Sequence, residues 1–164
     1  MRLISDKKKR EIIENLLLQN YNKYYRLACS YVHNDYDAGD IVQNGAYKAI
    51  FYSHKLKNIE HAETWLYRIM LNEIFVSYRE KEKVSFEEAA YEQGKEDTYE
   101  NVDLQKAINT LEKKDKAVVV LRYYEDMKLE EIAEVLEENL STVKSRLYRS
   151  MKKLRLELEP DNRL

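Results

Sequence analysis

Six cations and no acid fall between Ser141 and Arg155: Lys144, Arg146, Arg149, Lys152, Lys153 and Arg155. At helical periodicity Lys144, Ser145, Tyr148, Arg149 and Lys152 share one side of a helix, while Val143, Leu147, Met151 and Leu154 share the other. The first set suits a helix lying in the major groove of DNA, which needs hydrogen-bonding side chains near its N-terminus and positive charge for flanking phosphates. Lys144 and Arg149 can donate to guanine edges, Ser145 can serve base or phosphate, and Tyr148 can pack against a thymine methyl. Thr142 and Arg146 complete the candidate duplex-binding set. A cationic helix taken alone is more often a solvated surface. Here its position argues otherwise, because only Glu137 to Leu140 separate it from a preceding short helical pattern, as a helix-turn-helix requires.

Other chemistries find no support. His33, His54 and His61 have no metal-ligand spacing with one another or with Cys29, which reads as a small buried hydrophobe. Neither a Gly-rich phosphate loop nor a nucleophile, base and acid set occurs, so no catalytic residue, metal or cofactor is expected. A single cysteine cannot form an internal disulfide and points to a reducing, cytoplasmic setting. No run approaches the roughly 18 to 20 apolar residues of a membrane span, so direct membrane insertion is not expected.

Composition sets the elements that must hold the basic helix. With 44% hydrophobic residues, three Gly and one Pro in 164 residues, the chain has material for packed cores and few turn-formers, and it reads as all-α. A first helix is predicted over Lys7 to Tyr31, with Ile13, Leu16, Leu17, Tyr24, Leu27, Ala28 and Tyr31 inward. The interruption at His33 to Asp37 offers Asp35 or Asp37 as the next cap. Ala38, Ile41, Val42, Gly45, Ala46, Ala49 and Ile50 then form one buried stripe, whose small residues imply a closely approaching helix. A third helix is expected from about Ala62 to Glu82, with Trp65, Leu66, Ile69, Met70 and Val76 inward.

Between Glu80 and Glu100 periodicity fades and eight acids face three lysines, so residues 85–101 read as a flexible acidic linker. It would join two small helical domains, residues 1–84 and residues 102–164. Four helical patterns follow, Val102 to Leu111, Asp115 to Tyr124, Leu129 to Leu136 and Ser141 to Leu158, making the second domain a four-helix helix-turn-helix unit. Ser141 or Thr142 is expected to cap the last helix. The formal net charge of −2 excludes indiscriminate coating of nucleic acid, so DNA contact would be local to the basic face.

The segments Leu121-Arg122-Tyr123-Tyr124-Glu125, Glu131-Ile132-Ala133-Glu134-Val135-Leu136 and Ser141-Thr142-Val143-Lys144-Ser145-Arg146-Leu147-Tyr148-Arg149 closely resemble region 4 of the extracytoplasmic-function sigma factors, within the sigma-70 family. Asp40-Ile41-Val42-Gln43 resembles region 2.2, and Trp65-Leu66-Tyr67-Arg68-Ile69 with Asn72 resembles the promoter-melting helix of regions 2.3 and 2.4. The resemblance implies a sigma factor that binds core RNA polymerase, through the β′ clamp helices and β, and directs promoter-specific initiation of a stress or cell-envelope regulon. It implies that Asp40, Gln43 and Asn44 face the polymerase. It implies that Lys55, Lys57, Asn58, Tyr67, Arg68, Asn72 and Arg79 serve the −10 strand, holding a flipped base. Thr142, Lys144, Ser145, Arg146, Tyr148, Arg149 and Lys152 would serve the −35 duplex. An anti-sigma factor, often membrane-anchored, is a further implied partner.

This chain departs from the family pattern in places. Asn44 stands where an acid is common, Glu112 where a proline is common, and Lys128 where a Ser or Thr cap is common. Glu137 replaces the usual Gly at a left-handed turn, which is unfavourable for a residue with a Cβ and leaves room for a turn of different build. Residues alone also fit a dimeric helix-turn-helix repressor or activator, or a helical adaptor whose basic helix binds an acidic protein.

Overall fold

The computed structural model describes residues 3–81 and 99–159, with the side chains of residues 79–81 and 99–102 excepted. Among the described residues there are seven α-helices, two 3-10 turns and no strand. The chain divides into two compact units, Met1–Gln93 and Gly94–Leu164. The linker expected over residues 85–101 lies outside the described residues as far as residue 98, and from Tyr99 the chain is helical.

The N-terminal unit is built from α1 (Asp6–Val32), α2 (Asp35–Phe51) and α3 (Ala62–Lys81), each packed on the other two. Ser5 starts α1 by accepting the Lys8 N–H at 3.1 Å. The helix stops at His33, whose left-handed backbone (φ 54°, ψ 28°) returns its N–H to the Cys29 carbonyl. The cap of α2 is Asn34, not Asp35 or Asp37: its side-chain oxygen accepts the N–H groups of Tyr36 and Asp37 at 2.9 and 3.2 Å. Asp35 and Asp37 instead occupy the first turn, where a negative charge suits the helix dipole.

The core of this unit joins Ile13, Leu17, Tyr24, Leu27, Ala28 and Tyr31 with Ala38, Ile41, Val42 and Ala49, and with Leu66, Met70, Leu71 and Ile74. The buried face of α3 is rotated from the expected one. Leu66, Tyr67, Met70, Leu71 and Ile74 go in, Trp65 and Ile69 are half-buried, and Val76 is exposed. Aromatic edges favour this rotation: Tyr67 meets Tyr24 edge to face at 5.2 Å, and Tyr31 meets Phe75 and Tyr78.

The C-terminal unit contains α4 (Tyr99–Asn109), α5 (Lys113–Tyr123), α6 (Leu129–Leu136) and α7 (Leu140–Leu158). Ala107, Ile108, Leu111, Val119 and Leu154 form a buried cluster against which Leu104, Leu147 and Met151 pack. Ile132, Val135 and Val143 are buried where α6, the turn and α7 meet. Glu112 caps α5, its carboxylate accepting the Asp115 N–H at 3.4 Å. Lys128 has no acceptor with which to cap α6, so only the reciprocal bond forms, from its own N–H to Glu131 Oε1 at 3.1 Å.

Candidate nucleic-acid interface

The turn between α6 and α7 sets the angle of the basic helix. Glu137 adopts the left-handed conformation (φ 56°, ψ 40°), with its N–H directed to Glu134 O and that of Glu138 to Ala133 O. The turn therefore keeps the ordinary left-handed build despite the absence of glycine. Asn139, rather than Ser141 or Thr142, caps α7. Its Oδ1 accepts the Thr142 N–H at 2.9 Å, the Ser141 hydroxyl at 2.8 Å and the Thr142 hydroxyl at 2.7 Å. Thr142 is half-buried, its hydroxyl engaged within the turn.

Behind the turn lies a charged network. Arg146 donates from Nε to Glu138 Oε2 at 2.8 Å, from Nη2 to Glu138 Oε1 at 3.0 Å, and from Nη1 to Asp115 Oδ1 at 2.9 Å and Glu112 Oε2 at 3.3 Å. Lys114 adds a pairing to Glu138 Oε1 at 3.3 Å. The arginine side chain is 18% exposed. Arg146 therefore does not join the outer basic face: its donors are spent on carboxylates of the turn and of α5, and its role is to tie those elements to α7. Hydrogen bonding from Arg146 holds the Glu138 carboxyl below the usual range.

The other predicted residues of α7 face solvent. Lys144, Ser145, Tyr148, Arg149 and Lys152 are exposed along one side, opposite the buried Val143, Ser150 and Leu154. Arg149 is anchored at one end, with Nη2 2.9 and 3.2 Å from the two oxygens of Asp115, yet its side chain is 62% exposed. The outcome is a helix with one outward cationic face, tied through Arg146 to the turn and to α5.

In the N-terminal unit Asp40, Gln43 and Asn44 are exposed on α2, on the side away from its buried stripe. Lys55, Lys57 and Asn58 are exposed in the connection to α3, and Asn58 also accepts the Glu60 N–H at 3.0 Å. Asn72 is exposed and Arg68 half-buried on α3, while Arg79 lies outside the residues whose side chains are described. Tyr67 is not available to a DNA strand, because at 7% exposure it is part of the core against Tyr24.

An exposed aromatic group at the end of α2 escaped the sequence reading. Tyr47 stacks on Phe51, Phe51 meets Tyr52 edge to face at 4.9 Å, and Lys55 Nζ stands 4.7 Å from the centre of the Tyr52 ring. Its signal was present, since Tyr47 and Phe51 follow Asp40 at seven and eleven residues and so share its helical face. Asp115, buried at the N-terminus of α5, also went unnoticed, as did the buried Lys116, whose ammonium donates to Asn109 Oδ1 at 2.9 Å. Nothing local in sequence marks either, because their partners are supplied by the fold.

Comparison with known proteins accounts for both units. The family model described as Sigma-70 region 2 matches residues 16–84, and that described as Sigma-70, region 4 matches residues 101–154. RNA polymerase sigma factor SigV of Bacillus subtilis is 40% identical over 143 residues, covering 85% of this chain and 86% of that protein. RNA polymerase sigma factor YlaC of the same organism is 28% identical over 93% of this chain and 92% of its own length. The fold is shared with CnrH, solved in complex with the cytosolic domain of CnrY, at a TM-score of 0.72 and 24% identity over 91% of this chain and 88% of that one. It is shared with RpoE of Bartonella quintana, solved with the anti-sigma factor NepR, at a TM-score of 0.68 and 21% identity over 89% of this chain and 96% of that one. Among the described residues no helix is long and apolar enough to cross a membrane. The chain belongs to the sigma-70 family of RNA polymerase sigma factors, in its extracytoplasmic-function group, and is a specificity factor for transcription initiation rather than an enzyme.

Proposed function

We propose that this sigma factor divides promoter recognition between its two units, over the domain limits expected from sequence, residues 1–84 and 102–164. The N-terminal unit docks on core RNA polymerase through Asp40, Gln43 and Asn44 and holds the −10 strand with Lys55, Lys57, Asn58, Arg68 and Asn72. Single-stranded DNA is bound by stacking and backbone charge, and the exposed Tyr52 beside Lys55 offers both. The C-terminal unit reads the −35 duplex with Lys144, Ser145, Tyr148, Arg149 and Lys152.

The observation that carries this reading is the outward cationic face of α7, held behind a tight turn by Arg146 and Asn139. Run-off transcription with purified core enzyme and genomic promoter fragments tests it. Discrete transcripts dependent on this protein are expected. Palindromic operator binding by a dimer without polymerase would overturn it in favour of an ordinary repressor or activator.

Regulation by an anti-sigma factor accords with the two structural neighbours, one solved with NepR and the other with the cytosolic domain of CnrY. We assign this chain a cytoplasmic location, a stress or cell-envelope regulon and an anti-sigma partner anchored in the membrane. Co-purification of the tagged protein with a membrane fraction before induction, and its release afterwards, is the expected result. Recovery wholly in the soluble fraction under both conditions would remove the anchored partner.

A further inference from the structure

Two arginines of α7 converge on Asp115. Arg146 Nη1 lies 2.9 Å from Oδ1, and Arg149 Nη2 lies 2.9 Å from Oδ1 and 3.2 Å from Oδ2. The aspartate side chain is 10% exposed, so the carboxylate is held inside the unit rather than offered to solvent. Its two partners are in opposite situations. Arg146, 18% exposed, is bound on all three nitrogens by Asp115, Glu138 and Glu112 and cannot leave without unpairing buried charge. Arg149 is 62% exposed, and among the described residues only its Nη2 is engaged.

A guanidinium carries five N–H donors in a planar fork. With one Nη2 hydrogen directed at Asp115, the other Nη2 hydrogen and its parallel neighbour along the edge of the fork remain for an outside acceptor. An unrestrained arginine must lose rotamer freedom when it engages a base, a cost of about two- to tenfold in affinity for one long side chain. An arginine already fixed at its tip by an immobile carboxylate has met part of that cost on folding. Asp115 is immobile because Arg146 holds it, and its negative charge does not repel DNA because two cations neutralise it.

We propose that Asp115 is a positioning residue for −35 recognition: anchored by Arg146, it fixes the tip of Arg149 so that the remaining donors meet one base edge in a single orientation. This rests on the reading of α7 as the −35 helix. It goes beyond that reading in making base discrimination depend on a buried acid that never touches DNA.

The test uses the full chain assembled with core polymerase and promoter fragments carrying each single base-pair substitution of the −35 element. Arg149→Ala is expected to abolish discrimination at one base pair. Asp115→Asn, which keeps the shape and one acceptor, is expected to reduce discrimination at that same base pair by about three- to tenfold. Preferences at the other positions should stay as they are. In the Arg149→Ala background Asp115→Asn should have no further effect on that ratio. Glu138→Gln serves as a structural control, since it weakens the grip on Arg146 without touching Arg149; it should lower Tm and change the ratio much less than Asp115→Asn does.

The positioning role is overturned if Asp115→Asn leaves the ratio intact, shifts all positions equally, acts as strongly without Arg149, or is matched by Glu138→Gln. Tighter binding by Asp115→Asn with an unchanged ratio would overturn it too, by showing that Asp115 competes with DNA. If Arg149→Ala itself changes no base preference, the assignment of Arg149 as a base reader falls, and the positioning role falls with it. If Arg149→Ala acts as expected and Asp115→Asn does not, only the positioning role falls.

Discussion

Gly45 of α2 has Met70 of α3 where a side chain would be: a Cβ built on Gly45 stands 2.5 Å from Met70 Sδ. Replacing glycine by alanine in a helix ordinarily gains up to about 1 kcal/mol. Here that gain is offset by displacement of a thioether in a residue only 1% exposed. Gly45→Ala should therefore be close to neutral, whereas Gly45→Leu should overpack the contact and cost about 2–3 kcal/mol. Urea unfolding of the N-terminal unit, followed by near-UV signal from Trp65, measures both.

Glu137→Gly should stabilise the C-terminal unit. A residue with a Cβ in the left-handed region costs about 1–2 kcal/mol, and glycine returns about 0.4–1 kcal/mol of that through the greater freedom of the unfolded chain. A net gain of about 0.5–1 kcal/mol is expected in thermal unfolding, without change in promoter preference.

Arg146→Ala should cost about 2–4 kcal/mol, because it leaves Asp115 and Glu138 without their principal partner. The contribution of Glu138 depends on pH. Its folded-state pKa is depressed below 4.5, so the stabilisation is present above the unfolded value and is lost as pH falls through the folded one. Glu138→Gln should accordingly lower stability at pH 7 and narrow its distance from the wild type as the solution is acidified below about pH 4.5.

Lys116 gives a slope of the same sign at alkaline pH, from burial instead of pairing. Burial pushes its ammonium down from 10.5 to about 8, so between those values the unfolded chain binds more protons and stability rises with pH. Below pH 8 both states are protonated and the burial penalty is borne in full. Thermal unfolding from pH 7 to 10.5 should show a component of increasing stability that disappears in Lys116→Met.

Lys152→Ala tests phosphate contact at the far end of the basic face. It should weaken promoter binding by a similar factor for all −35 variants and reduce the slope of log affinity against log salt by about one. A sequence-dependent loss would assign Lys152 to base readout instead.

Sequence alone makes the helices legible because each is declared by its own periodicity. The stripe from Ala38 to Ala49 and the alternation of Val143 and Leu154 with Lys144 and Arg149 needed no tertiary information. Misreadings arose where two local solutions are nearly equal. Asn34 and Asn139 compete as caps with Asp35 and Ser141 one or two residues away, and all four side chains can accept a backbone N–H. Tyr67 is amphipathic and fits core or surface, so only the Tyr24 ring decides its place. Arg146 and Arg149 share residue type, and periodicity sets Arg146 only somewhat nearer the buried stripe. What locks Arg146 and not Arg149 is the pair Glu138 and Glu112, eight and 34 residues away from it, brought together by packing.

On α7 the positions that bear the fold are distinct from most of those that face outward. Val143, Ser150 and Leu154 are buried and Arg146 is locked into carboxylates, while Lys144, Ser145, Tyr148 and Lys152 have no structural duty in the unit. Divergence at those four positions carries little thermodynamic penalty, so on the −35 reading proposed above a duplicated copy of this protein would acquire a new promoter preference by single substitutions without first becoming unstable. Arg149 is the exception, since a change there also strips Asp115 of a partner, and on the same reading the base it meets would be the slowest part of the promoter to drift.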